Sequence, residues 1–364
     1  MYLDNRKKSY APALVFITLA FFSCAIFLSV PAGAQKIKQL PPPPPAPRYK
    51  PKPTPTPEYE VVRVSSNLVM APVSVTNTQG QPVLGLKTSD FRIEEDGHPQ
   101  EIAQLGDPEQ VPLDIALLID VSGSVVARFA FEQQAAASFL QQVLKPEDRA
   151  TIFAIDESPR MIQPLTTAQL AARKLLTVTP SNGYTAFFDS VLAAANYLDK
   201  SSSSGRRRIV VVISDGDDTA RILGVSAAQN RSDSMKLIGV DAQLQLIRKA
   251  QLDTQREVQR AETTFYSINP SGQTMHLNVR TARSEEGMER IAAATGGAAF
   301  VPRNESELSG IFQQIASEIR SQYLLQYYSN NKAGGTTFRR INVSTPAQPQ
   351  LHVRSREGYF PKGK

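Results

Sequence analysis

The chain has 364 residues, a formal net charge of +6, a single cysteine and three histidines. That length accommodates roughly two domains, and the 41% apolar fraction fills at least one sizeable core. The positive surplus is spread thinly, which argues against a nucleic-acid groove, and His98, His276 and His352 leave little material for Ser-His-Asp catalysis or a histidine-based zinc site.

Residues 1–34 read as an export signal. Arg6, Lys7 and Lys8 form a positive start, 11–30 is almost wholly apolar, and Ala32-Gly33-Ala34 supplies small residues for cleavage before Gln35. The expected location is therefore extracytoplasmic: periplasmic, at the cell surface or secreted. The alternative is an uncleaved anchor, since about twenty helical residues span ~30 Å; Pro31 and the Ala-x-Ala pattern favour cleavage. Phe21 and Phe22 fit a lipoprotein box around Cys24 poorly, so the mature chain is expected to lack cysteine, which suits an oxidising compartment. Residues 35–60 are rich in proline, including Pro41 to Pro45. Proline fixes φ and removes a donor, which predicts an extended spacer reaching on the order of 80 Å at ~3.1 Å per residue. Lys50 and Lys52 are compatible with proximity to a membrane or cell wall.

Residues 61–108 have β texture. The stretch 67–75 partly alternates apolar with small or polar residues, 91–95 alternates again, and Asp96-Gly97 marks a tight hairpin turn. From 111 to 321 strands alternate with helices. Strands are expected over 113–120, 149–155, 209–214, 264–268 and 298–301, with a shorter one near Met161, and helices over 129–144, 167–176, 186–198, 244–260, 284–294 and 305–321. The apolar run Ile209-Val210-Val211-Val212-Ile213 suits a strand covered on both faces. This alternation predicts an α/β fold with a doubly wound sheet flanked by helices. Arg206-Arg207-Arg208, the tightest basic cluster, reads as a solvated start to its strand. β texture returns over 322–360, with strands at 323–328, 338–343 and 351–353. Neither β segment has enough strands to bury a core alone, so the two are expected to pair into an accessory β-sandwich around the inserted α/β domain.

Three short polar clusters carry the chemistry. Asp120-Val121-Ser122-Gly123-Ser124 ends one predicted strand, Ser214-Asp215-Gly216 ends another, and Gly183-Tyr184-Thr185 opens a helix. Ligands of α/β sheets sit at the carboxyl ends of strands, where Asp120 and Asp215 fall. In a roughly extended loop Ser122 and Ser124 face one point, with Gly123 permitting the path between them. Asp120, Ser122, Ser124, Thr185 and Asp215 together offer carboxylate and hydroxyl oxygens, the donor set of a hard divalent cation such as Mg²⁺, with Mn²⁺ or Ca²⁺ as alternatives. The hydroxyls are assigned to direct contact and the carboxylates to direct or water-mediated contact. Neutral donors leave the cation with surplus charge, which attracts an acidic group from a partner.

These clusters resemble the von Willebrand factor type A domain: Asp120-x-Ser122-x-Ser124 is similar to its metal motif, Thr185 to its second-loop threonine and Asp215 to its third-loop aspartate. More closely, residues 67–360 resemble a bacterial group of exported proteins related to that domain and frequent in acidobacteria. Supporting stretches include Ala294-Thr295-Gly296-Gly297 and Arg354-Ser355-Arg356-Glu357-Gly358-Tyr359. The resemblance implies a six-stranded, mostly parallel sheet and a metal-ion-dependent adhesion site whose metal is completed by a Glu or Asp carboxylate of a protein partner. Residues 217–262, with Arg231-Ser232-Asp233-Ser234, look like an insertion near the metal face. The expected function is an exported, non-enzymatic, metal-dependent protein-binding module. Two rivals are a metal-assisted aspartate-based phosphatase with Asp120 as nucleophile, which would need a second acid where Ser122 stands, and a structural envelope protein with an empty site.

Overall fold

The structure is a computed structural model that describes residues 68–223, 239–272, 279–331 and 335–361. The predicted signal, the proline-rich spacer and Arg231–Ser234 lie outside the described residues. Among those described, no helix is long and apolar enough to cross a membrane.

The described residues open with four strands, β1 (Leu68–Thr76), β2 (Arg92–Glu95), β3 (His98–Gln100) and β4 (Ile102–Gly106). The α/β unit follows: β5 (Leu113–Asp120), α1 (Phe129–Val143), β6 (Arg149–Ile155), β7 (Pro159–Thr166), α2 (Ala168–Leu175), α3 (Phe187–Ser201) and β8 (Arg207–Ile213). It continues with α4 (Thr219–Ile222), α5 (Val240–Arg260), β9 (Thr263–Ile268), α6 (Val279–Thr295), β10 (Ala299–Phe300) and α7 (Leu308–Ser321). The last described strands are β11 (Tyr323–Tyr328), β12 (Arg339–Ser344), β13 (His352–Ser355) and β14 (Gly358–Tyr359).

The α/β unit is built on a six-stranded sheet of order β10-β9-β8-β5-β6-β7. Every pairing is parallel except that of the edge strand β7 with β6. All eight residues of β5 are buried. Alternate residues point to opposite faces: Leu113, Ile115, Leu117 and Ile119 pack beneath α1, α2 and α7, while Ala116 and Leu118 pack beneath α3, α5 and α6. Helices thus cover both faces, as a doubly wound sheet requires. At the end of α6, Gly296 adopts φ +80°, and a Cβ on Gly297 would lie 1.8 Å from the Phe265 carbonyl oxygen, so only glycine allows β9 to pass that close.

The flanking strands form two antiparallel four-stranded sheets, β13-β1-β11-β4 and β14-β12-β2-β3. Val73 and Val75 of β1, Leu325 and Tyr327 of β11, Ile93 of β2 and Val343 of β12 share one core. N-terminal and C-terminal strands therefore make the accessory sandwich jointly. In the turn joining β2 to β3, Asp96 and Gly97 both have positive φ, 49° and 79°, the geometry of a tight hairpin turn. Inside the sandwich the buried Glu95 accepts hydrogen bonds from Tyr327 (2.9 Å), Tyr359 (3.1 Å), Ser329 (2.7 Å) and Arg339 (3.1 Å). A second buried network joins the sandwich to α7: Glu318 Oε1 accepts from Ser74 Oγ of β1 at 3.0 Å, from Tyr266 OH of β9 at 2.7 Å and from Arg354 of β13.

Two expectations are corrected. β8 begins at Arg207, before the expected apolar run, and the strand start is not solvated: Arg207 and Arg208 are 6% and 9% exposed. Each guanidinium is tied down, Arg207 to the Ile319 carbonyl (2.9 Å) and Arg208 to Asp199 (2.8 Å) and the Ala261 carbonyl (2.7 Å). The segment after Asp217 holds a short helix, α4, and a helix α5 that starts at Val240 rather than 244.

Asp114 of β5 is fully buried and held by Arg149 (2.9 and 2.7 Å) and Arg206 (2.9 Å). Burial works to raise its carboxyl pKa, but the two guanidinium groups outweigh burial and hold it below the usual range. Its stabilisation is therefore present at neutral pH and is lost as pH falls through the lowered value. Asp114→Asn is expected to cost about 3 kcal/mol at pH 7, measured by urea unfolding, and the gap to wild type should close as the pH is taken below the carboxylate range.

Candidate functional site

Strands β5 and β8 are neighbours whose onward connections run to opposite sides of the sheet, which makes the space between their carboxyl ends the topological switch point. Their register pairs Ile119 with Ile213, so Asp120 and Ser214 emerge side by side. Ser214 Oγ donates to Asp120 Oδ2 at 2.7 Å, and the Ser122 amide donates to Asp120 Oδ1 at 2.9 Å. Asp215 follows directly, its Oδ1 accepting from the Asp217 amide at 3.0 Å.

The Thr185 loop is laced to this edge through the backbone. Ser181 N donates to the Val121 carbonyl at 2.5 Å, and Ala186 N donates to the Asp156 carbonyl at 2.9 Å. Thr185 itself is 5% exposed; its amide donates to Thr219 Oγ1 at 2.8 Å, and its carbonyl accepts from Ala220 N at 3.1 Å. The loops of Asp120, Thr185 and Asp215 thus share one edge of the sheet. Ser122 is buried at 6% exposure and extended (φ −64°, ψ 166°), and Ser124 lies in the single 3-10 turn Gly123–Val125. The loop is therefore not extended past Ser122 as the sequence suggested. Nor is Gly123 sterically required there: a Cβ would meet nothing nearer than Asn182 Oδ1 at 3.6 Å.

Two residues of this edge were not singled out from the sequence. Ser214 orients Asp120. Asp218, 3% exposed, caps α4 through the Arg221 amide at 3.1 Å and accepts from the Phe188 amide at 3.1 Å, pinning the start of α3 just after Thr185. Burial raises its carboxyl pKa against those amides and the nearby Arg221. The sequence signal for it is an Asp immediately before a helical turn; its second bond depends on tertiary contact and has no local signature.

The electrostatics set Asp120 apart. Its carboxyl is pushed up, first by burial and then by the neighbouring Asp215, against the hydrogen bonds of Ser122 and Ser214. Among the described residues no cationic side chain pairs with Asp120 or Asp215. Nor, among them, do three His, Cys, Asp or Glu side chains gather as a metal cage. The edge brings Asp120 and Asp215 beside the loops that carry Ser122 and Thr185, residue types that suit a hard divalent cation needing few charged ligands, while the side chain of Ser124 lies outside those described.

Residues 115–217 match the family model of the von Willebrand factor type A domain. The α/β unit that contains them has a von Willebrand factor type A-like fold, a mostly parallel sheet flanked by helices, with antiparallel sheets added to it. Similar solved structures include a mutant of the PilB minor pilin from Streptococcus sanguinis, at 12% identity over 58% of this chain and 62% of that one, with a TM-score of 0.45. Others are the vWF domain of the type V pili tip protein Mfa5 from Porphyromonas gingivalis (12%, 57% and 95%, TM-score 0.41) and an aerotolerance-related membrane protein from Bacteroides fragilis (14%, 57% and 98%, TM-score 0.38). The chain spans less than two thirds of the pilin's length. The search of curated proteins gave no match.

A folded-state pKa raised above the unfolded one means that the metal-free protein loses stability as pH rises from the ordinary carboxylate range through the raised value. Asp120→Asn removes that loss. In EDTA at pH 7 the variant is expected to be as stable as wild type or more so by urea unfolding; a deficit above about 2 kcal/mol would show that the charged carboxylate is already compensated.

Proposed function

We propose that the domain is an extracytoplasmic, non-enzymatic protein-binding module that holds a divalent cation, Mg²⁺ or in its place Mn²⁺ or Ca²⁺, and engages an Asp or Glu carboxylate of a partner. The observation that carries this reading is the pair Asp120–Asp215: a buried carboxylate beside a second one, at the switch point, with no cation among the described residues to balance either. Burying unpaired charge is costly, and a divalent ion offsets that cost where hydroxyls complete its coordination. Ser122, Ser124 and Thr185 would supply the hydroxyls, and Asp120 and Asp215 would contribute directly or through water. When bound, the cation supplies a site of surplus positive charge facing solvent. The chain's own part is to present that charge rigidly, through the Ser214 bond to Asp120 and the Asp218 bond to Phe188.

The reading as an aspartate-based phosphatase is less well supported. Both Asp120 oxygens already accept hydrogen bonds and the residue is 1% exposed, so it is poorly placed to attack a phosphoryl group, and Ser122 occupies the position of the second acid. Export is supported by the signal-like residues 1–34, and adhesion is in keeping with the von Willebrand factor type A match over residues 115–217.

Titration calorimetry of the full chain with MgCl₂ is expected to show one saturable site. Ser122→Ala should weaken it at least ~10-fold, and capture of an envelope partner should require Mg²⁺ and fail in EDTA. Equal cation affinity in wild type and Ser122→Ala would remove the basis of the reading.

A further inference from the structure

The loop that carries Thr185 holds the chain's one Asn-Gly pair, Asn182-Gly183. Asn182 is exposed and lies between α2 and α3, outside any helix or strand. Among the described residues no hydrogen bond holds its carboxamide, whose Oδ1 lies 3.6 Å from where a Cβ on Gly123 would stand. The side chain therefore faces the backbone between Ser122 and Ser124. The next amide, that of Gly183, makes only a long hydrogen bond, 3.4 Å to Ser181 Oγ. Amides on either side are better held, Ser181 N by the Val121 carbonyl and Thr185 N by Thr219 Oγ1 at 2.8 Å. Glycine at 183 is favoured by packing. A Cβ there would stand 2.9 Å from Glu157 Cγ and 3.0 Å from Asp156 Oδ1, and that oxygen is itself tied to Ser181 Oγ at 3.0 Å.

An asparagine followed by glycine has a reaction of its own. The amide nitrogen of the glycine attacks the asparagine Cγ and closes a five-membered imide, and ammonia leaves with the proton that nitrogen gave up. Water then opens the ring. Attack at the side-chain carbonyl gives aspartate, and attack at the main-chain carbonyl gives isoaspartate. Regular secondary structure opposes the first step by holding the amide in a hydrogen bond, and a Cβ on the following residue shields the nitrogen. Glycine has no Cβ and a permissive backbone. At Asn182 the carboxamide is free, the attacking amide is weakly bonded and the shield is missing.

We propose that Asn182 is a self-modification site, converted through this imide to aspartate and isoaspartate without an enzyme, which sets a new carboxylate at the edge that holds Asp120 and Asp215. The step consumes only water and does not depend on a cation; its effect on cation binding rests on the function proposed above. There a third negative charge strengthens the hold on a divalent ion, because the affinity of such sites follows ligand charge. It also leaves the bound ion less surplus charge for a partner's carboxylate.

The test is to age the purified full chain for weeks in neutral buffer at physiological temperature and to map it by mass. Tryptic peptide 175–200 carries a second asparagine, Asn196, which is also exposed but sits inside α3 and precedes Tyr197. The amide-to-acid mass gain is expected at Asn182, as two products that separate by chromatography, with Asn196 unchanged. Asn182→Gln, which would have to close a larger ring, should stay unmodified. In MgCl₂ titrations at low ionic strength Asn182→Asp should bind at least about threefold more tightly than fresh wild type. No conversion at Asn182, conversion no faster than at Asn196, or aspartate as the sole product would overturn the proposal, and equal Mg²⁺ affinity in Asn182→Asp and wild type would overturn its consequence. Wild type that binds no Mg²⁺ would instead overturn the cation reading and leave the mass result standing.

Discussion

The parallel pairing of β5 with β8 is the constraint on which the rest of this molecule depends. It places Ile119 opposite Ile213 and so delivers Asp120 and Ser214 to the same edge. A slip of one residue would turn every side chain of β5 to the other face, exchanging Leu117 and Ile119, which belong to the α1–α2–α7 layer, with Ala116 and Leu118, which belong to the other. The two layers receive side chains of different size, leucine and isoleucine on one face and Ala116 with Leu118 on the other, so the core itself fixes the register. The geometry of the candidate site is thereby a by-product of hydrophobic packing.

One strand also shows two opposite treatments of buried charge. Asp114 and Asp120 lie near the two ends of β5, and both are almost wholly removed from solvent. At the start of the strand Asp114 has two arginines and a lowered pKa; at its end Asp120 has two hydrogen bonds, a carboxylate neighbour and a raised one. The first arrangement is self-sufficient and structural. The second has no compensating cation among the described residues.

Much of this architecture could be read in the sequence because the α/β strands are continuous apolar runs and the sandwich strands alternate. The bounds of β5, β6 and β11 follow directly from those patterns. The start of β8 did not, because Arg207 and Arg208 look like surface residues until the carbonyls of Ile319 and Ala261 and the carboxylate of Asp199 are brought to them by distant parts of the chain. In the same way the Asp-x-Ser-x-Ser spacing identified the first loop, but the 3-10 turn at Gly123–Val125 and the supporting bonds of Ser214 and Asp218 arise from tertiary contacts that no local pattern encodes. The position of the first loop at a strand end was legible; the contacts assembled across loops were not.

The chain enters the α/β unit from β4 and leaves it into β11, and these two strands are hydrogen-bonded neighbours, with Gly106 opposite Leu324. Both chain crossings between the unit and the sandwich therefore fall at one hem. Tension applied between Leu68 and Pro361 would run through the ladders of the sandwich, most directly the one joining β1 to β13, and bypass the sheet that ends in Asp120. A grip made at that edge would keep its geometry while the strands beneath it carried the load.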